Sequence, residues 1–131
     1  GGKDIWVSYL DVQLKWSEPK NLGPNINTKY DDQCPFIHAD NQTLYFTSNG
    51  WPGMGNGDIF VARKTDTGWT QAVNIGYPIN TENDDNGMTV SYDGKTAFLS
   101  SSRAGGFGGL DIYSFELPES MQPKKIILYN M

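Results

Sequence analysis

Along residues 43–48 and 58–63, large side chains stand on successive positions: Thr43-Leu44-Tyr45-Phe46 and Ile59-Phe60-Val61-Ala62 leave no polar face between them. A strand with one face in water alternates apolar and polar residues with a period of two. Unbroken runs like these predict sheets covered on both faces. The remaining segments are short, rich in aromatic and β-branched residues, and separated by Gly, Asn, Asp and Pro, which is the signature of strands and turns. Amphipathic helical periodicity is absent. The pattern predicts strands near 4–10, 16–22, 34–38, 43–48, 58–63, 69–74, 87–92, 96–101 and 111–116, with a tenth near 125–129.

These segments recur. Slid along itself, the sequence matches at a displacement of 53: Trp16 with Trp69, Asn27-Thr28 with Asn80-Thr81, Asp31-Asp32 with Asp84-Asp85, Asp40 with Asp93, Thr43 with Thr96, and Asp58 with Asp111. A further repeat is cut short at the start, where Gly2-Lys3-Asp4-Ile5-Trp6 matches Asn56-Gly57-Asp58-Ile59-Phe60 at 54. Repeated four-stranded units of this length, buried on both sides, point to a β-propeller. A β-sandwich would show polar alternation on its outer faces and needs no fixed register.

The expected fold is therefore all-β: a partial β-propeller of about two and a half four-stranded antiparallel blades of about 53 residues each. The boundaries are a half blade over 1–30, a full blade over 31–83, a further blade over 84–118, and an exit linker or closing strand over 119–131. A propeller needs at least about four blades. Either the chain is a fragment of a longer propeller or several copies complete the ring, and its open sheet edges favour self-association.

The chain's 131 residues and 14.6 kDa fit one domain, and its first residue, Gly1, suggests an excised or processed piece. Ten Lys and Arg against fifteen Asp and Glu give a net charge of −5, which repels phosphate backbones, so no nucleic acid is expected as a partner. The longest apolar runs, 59–62 and 126–129, are too short to cross a bilayer, so the chain should not itself span a membrane. The single Cys34 cannot form an internal disulfide and does not fix the redox compartment.

Asp93-Gly94-Lys95-Thr96-Ala97-Phe98-Leu99-Ser100-Ser101, followed by Arg103, Gly105-Gly106, Gly108-Gly109 and Asp111-Ile112-Tyr113, resembles the WD40-like propeller repeat of the TolB family. The match covers nearly all of residues 1–118. Trp16-Ser17-Glu18-Pro19-Lys20-Asn21-Leu22-Gly23, Ile26-Asn27-Thr28 and Gly53-Met54-Gly55-Asn56-Gly57-Asp58-Ile59-Phe60 are similar to the propeller of OmpA-family, peptidoglycan-associated outer-membrane proteins. The resemblance implies a periplasmic, outer-membrane-associated location and a protein partner in the cell envelope. Peptidoglycan binding in that family belongs to a separate domain and does not transfer to these residues. Asn41 departs from the pattern, standing where the turn usually has Gly, but Asn tolerates the left-handed conformation.

No complete catalytic constellation emerges. His38 is the only histidine, and on one regular strand face Cys34 and His38 would lie ~13 Å apart, too far for a dyad. His38 reads as a satisfied strand residue. The adjacent loop aspartates are not the opposed acid and base of a glycosidase. Glu82-Asn83-Asp84-Asp85-Asn86-Gly87 has Asp93 where a calcium loop needs its twelfth-position Glu. Gly105-Gly106-Phe107-Gly108-Gly109-Leu110-Asp111 places its Asp one residue late for the calcium-binding nonapeptide, and Ser91-Tyr92-Asp93-Gly94-Lys95-Thr96 falls one short of the sialidase Asp-box. Neither an enzyme, a metal nor a cofactor is expected.

In an antiparallel meander alternate connections share one end of the sheet. The long ones here, near 23–33, 48–57, 75–86 and 101–110, should crowd one face of the disc. That face is the candidate partner-binding surface, carrying Tyr30, Asp31, Asp32, Trp51, Met54, Asp84, Asp85, Arg103 and Phe107. Aromatic anchors with carboxylates suit a protein partner. The alternative is a carbohydrate-binding or glycan-hydrolysing propeller, with Trp51 stacked on sugar and Asp84 or Asp85 on hydroxyls. Trp51 and Phe107 could equally fold inward as plugs. For Asp31, Asp32, Asp84 and Asp85 capping of turns is the simpler expectation, and for Asp4, Asp58 and Asp111, each just before an Ile-aromatic pair, an Asx-type bond across the strand entrance.

Overall fold

The computed structural model describes residues 2–103, 105–107 and 109–124. The expected strand near 125–129 lies outside them. The chain is all-β, with three antiparallel sheets and one short 3-10 turn among the described residues. The first sheet pairs β1 (Trp6–Val7) with β2 (Lys20–Asn21). The second runs in order through β3 (Asp32–Ile37), β4 (Thr43–Ser48), β5 (Asp58–Arg63) and β6 (Val73–Asn74). The third comprises β7 (Asp85–Val90), β8 (Thr96–Ser101) and β9 (Asp111–Glu116), with the 3-10 turn Glu119–Met121 beyond it. Every neighbour in a sheet is a neighbour in sequence, so each sheet is a plain meander. The three sheets do not close on one another.

The strands over 43–48, 58–63, 96–101 and 111–116 have the boundaries expected of them. The outer strands are shorter. Only the isolated bridges Leu10 to Trp16 and Lys64 to Trp69 extend them. Pro19 has no N–H to donate to a ladder, and the Ala72 amide is drawn away to the Asn25 carbonyl at 3.0 Å.

The inner strands begin earlier than expected and carry a bulge. Register slips between Gln33 and Phe36 in β3 and between Asn86 and Thr89 in β7. Cys34 sits at φ 52° and Gly87 at φ 64°, at the same place in successive repeats. The bulge breaks the period of two, so Cys34, Phe36 and His38 do not share one face as a regular strand would require. Cys34 is exposed, Phe36 packs against the core, and His38 is buried beyond the strand end. Asn41, at φ 62°, takes the left-handed turn that Gly94 takes at φ 79°.

Two cores hold the sheets together. Leu44, Phe46, Phe60 and Ala62 of the second sheet pack with Ile5 and Ile26, and the Phe46 and Phe60 rings stack at 6.0 Å. On the opposite face Tyr45, Ile59 and Val61 pack with Met88, Val90, Ala97 and Leu99 of the third sheet. The middle sheet is thus covered on both sides: β4 is buried at every position and β5 at all but Arg63. Burying one Phe, Leu or Ile contributes roughly 1.5–3 kcal/mol, so β4 and β5 draw stability from two cores at once. At the end of the second core, the Tyr45 phenol donates to the Met121 carbonyl at 2.7 Å, and burial raises its pKa above the ordinary phenolic range.

Candidate interaction surface

The registers Asp32–Ser48–Asp58 and Asp85–Ser101–Asp111 place the long connections at one end of the second and third sheets. The Asp85 amide donates to the Gly57 carbonyl at 3.1 Å, and the Gly2 amide to Lys29, so these ends lie side by side.

Each loop is pinned by a carboxylate. Asp32 accepts from the Thr28 amide at 2.6 Å and from the Ser48 hydroxyl at 2.6 Å. Asp85 repeats this with the Thr81 amide at 2.6 Å and the Ser101 hydroxyl at 2.7 Å. Asp58 accepts from the Met54 amide at 2.6 Å and the Gly55 amide at 3.2 Å, and Asp111 from the Phe107 amide at 2.8 Å. A Cβ at Gly53, or at Gly106 in the next repeat, would collide with the Asp58 or Asp111 carboxylate. The expected capping role therefore holds for Asp32 and Asp85, whereas Asp58 and Asp111 tie down the preceding loop in place of the expected Asx-type bond. The amides they bind lie three or four residues before them, rather than in the short turn that an Asx bond makes. Asp4 differs, accepting from the Asn21 side chain at 2.9 Å.

Two loop residues of different type clamp the equivalent acceptor in successive repeats. The Trp51 indole donates to the Ile26 carbonyl at 2.8 Å, and the Arg103 guanidinium donates to the Ile79 carbonyl at 2.7 Å. Ile26 and Ile79 are 53 residues apart. Arg103 also donates to Pro78 at 2.6 Å and to Asp85 at 3.1 Å, and lies over the Tyr113 and Phe115 rings at 5.0 and 4.9 Å.

These contacts divide the expected surface. Asp32 and Asp85 are buried, and Trp51 and Arg103 are turned inward, so all four are committed to holding loops and do not present their side chains at the surface. Tyr30, Met54, Asp84 and Phe107 remain exposed, Phe107 completely. Lys29 stands 5.2 Å over the Tyr30 ring, and Asp31 accepts from the Lys3 amide at 2.9 Å. A polar crevice of about 200 Å³ beside Asp84 is lined by Gln33, Thr47, Asn49, Asn56 and Asn86.

Two features escaped sequence reasoning. Asn27 and Asn80 are repeat-matched, yet nothing in their type announced a role. Each side chain bonds both backbone groups of one strand residue: Asn80 accepts from the Ile59 amide at 2.7 Å and donates to its carbonyl at 2.8 Å, and Asn27 does the same with Ile5. At the opposite end of the molecule, an apolar groove of about 290 Å³ lies between the first and second sheets, lined by Ile5, Val7, Leu22, Pro35, Ile37 and Leu44.

His38 is a satisfied residue. Its Nδ1 accepts from the Asp40 amide at 3.1 Å, which leaves Nε2 to donate to the Ser91 carbonyl at 2.9 Å. Asp93 accepts from the Ser91 hydroxyl and the Lys95 amide, which lowers its pKa and closes the turn. Among the described residues no group of three His, Cys, Asp or Glu could hold a metal ion, and no helix is long and apolar enough to cross a membrane.

No protein-family model matches the chain, and neither a curated protein nor a solved structure matches it.

Proposed function

We propose that the chain is a non-catalytic segment of a β-propeller in a bacterial cell-envelope protein, serving as a protein-interaction scaffold through its long-loop end. The propeller reading draws support from stacking in repeat order, with one complete four-stranded sheet covered on both faces. The envelope location rests on the resemblance of the repeat motifs to OmpA-family and TolB-like propellers. The binding role rests on a single observation: Tyr30, Met54, Asp84 and Phe107 are exposed on loops that carboxylates tie down, buried Asp32, Asp58 and Asp85 for the first three and half-buried Asp111 for the last. Rigid apolar anchors beside a charge lose little conformational entropy when a protein partner covers them.

The carbohydrate reading relied on Trp51 as a stacking platform, and that ring is engaged with Ile26 and the first core. The test is capture of envelope protein by immobilised chain, compared with a Tyr30→Ala/Met54→Ala/Phe107→Ala variant of unchanged thermal stability. The scaffold reading expects a specific band that the triple variant loses. Equal capture by both, or by neither, counts against it.

A further inference from the structure

The two outermost sheet faces are matched halves of the interface that the molecule already builds twice. On the middle sheet, Phe60, Trp69 and Ala72 face the first sheet and belong to, or pack against, the first core. Their counterparts one repeat earlier are Trp6, Trp16 and Pro19. All three are exposed on the free side of the first sheet, Trp6 at 57% and Trp16 at 69%. Tyr45 and Ile59 of the middle sheet are fully buried beneath the third sheet. Their counterparts one repeat later are Phe98 and Ile112, exposed at 43% and 80% on the free side of the third sheet. Each free face therefore carries residues of the type that the fold buries wherever a neighbouring repeat is present.

From this continuity with the internal interfaces, we infer that the Phe98/Ile112 face docks the Trp6/Trp16/Pro19 face of a second copy of the chain, head to tail. The contact is heterologous: two different surfaces meet, and the pair retains one free face of each kind, one on each molecule. It covers the apolar side chains on both ends and continues the stacking order of the three sheets. The inference rests on the stacked-repeat reading and not on capture at the long-loop end, so the two fail separately.

The test is mass measurement by light scattering across a concentration series, with the variants Trp6→Asp and Ile112→Asp. Both positions are exposed, so each variant should keep the wild-type melting temperature. Trp16→Glu and Phe98→Ser serve as a second pair should either variant unfold. The wild-type mass should rise with concentration. Each variant alone should remain at or near one chain mass, with association weakened by about tenfold or more. Mixed, the two variants should form a one-to-one pair, because each retains the face that the other lacks. A wild-type chain that stays monomeric at its highest soluble concentration overturns the inference. So does a mixture that does not pair, or a single variant that still dimerises.

Discussion

Cys34 and Gly87 occupy the same backbone position in successive repeats, both in the left-handed region, at φ 52° and 64°. Only Gly enters that region without a Cβ clash, and a side chain there costs about 1 kcal/mol. Cys34 is exposed and contributes no core packing. Cys34→Gly should therefore stabilise the fold by about 0.5–1 kcal/mol, and Gly87→Ala should destabilise it by about 1 kcal/mol. Urea midpoints at constant m-value read both effects. A loss of stability in Cys34→Gly would show that the bulge is not shared between the repeats.

Trp51 and Arg103 clamp equivalent carbonyls, but their removal should not be equivalent. Arg103 is the cation that Asp85 faces, so Arg103→Ala leaves a buried carboxylate without its charge partner and should cost about 3 kcal/mol. Trp51→Phe keeps most of the ring packing and loses one hydrogen bond, for about 1 kcal/mol. Thermal unfolding of the two variants side by side measures the difference. Equal losses would contradict the assigned roles.

Asp40 sets part of the acid stability. Burial alone would raise its pKa, but hydrogen bonds from the Gln42 amide and from the Thr43 hydroxyl and amide, with His38 nearby, hold it below the ordinary 3.8. A carboxyl depressed in the folded state contributes stability above its unfolded pKa, and that contribution fades as pH falls through the folded value. Asp40→Asn should therefore flatten the decline in stability below pH 3.8 and leave its slope near neutrality unchanged. Urea midpoints between pH 2 and 7 provide the test, and an unchanged acid limb would rule out this role for Asp40.

The strands most legible in the sequence were 43–48, 58–63, 96–101 and 111–116, the regular strands without a bulge, whether packed on two faces or on one. Unbroken apolar runs such as Ile59 to Ala62 state their own burial. The inner strands were less so, because the bulges at Cys34 and Gly87 shift the alternation and draw Asp32 and Asp85 into the ladder ends. Asp32 and Asp85 of the expected surface proved internal for a related reason: loop carboxylates beside Thr and Ser are as well suited to pinning a loop as to meeting a partner. The Trp51 and Arg103 equivalence was hidden, since the two side chains differ in chemistry and stand 52 residues apart, and only their repeat-matched acceptors, Ile26 and Ile79, reveal it.

The middle sheet is a leaflet with a different neighbour on each side. Methyl and aromatic nuclear Overhauser contacts in solution test this most directly. Ile59 should show contacts to Met88, Val90, Ala97 or Leu99, while Ile5 should show them to Leu44, Phe46, Phe60 or Ala62, with no exchange between the two sets. If Ile5 and Ile59 instead share one set of neighbours, the sheets are not stacked in repeat order and the account fails.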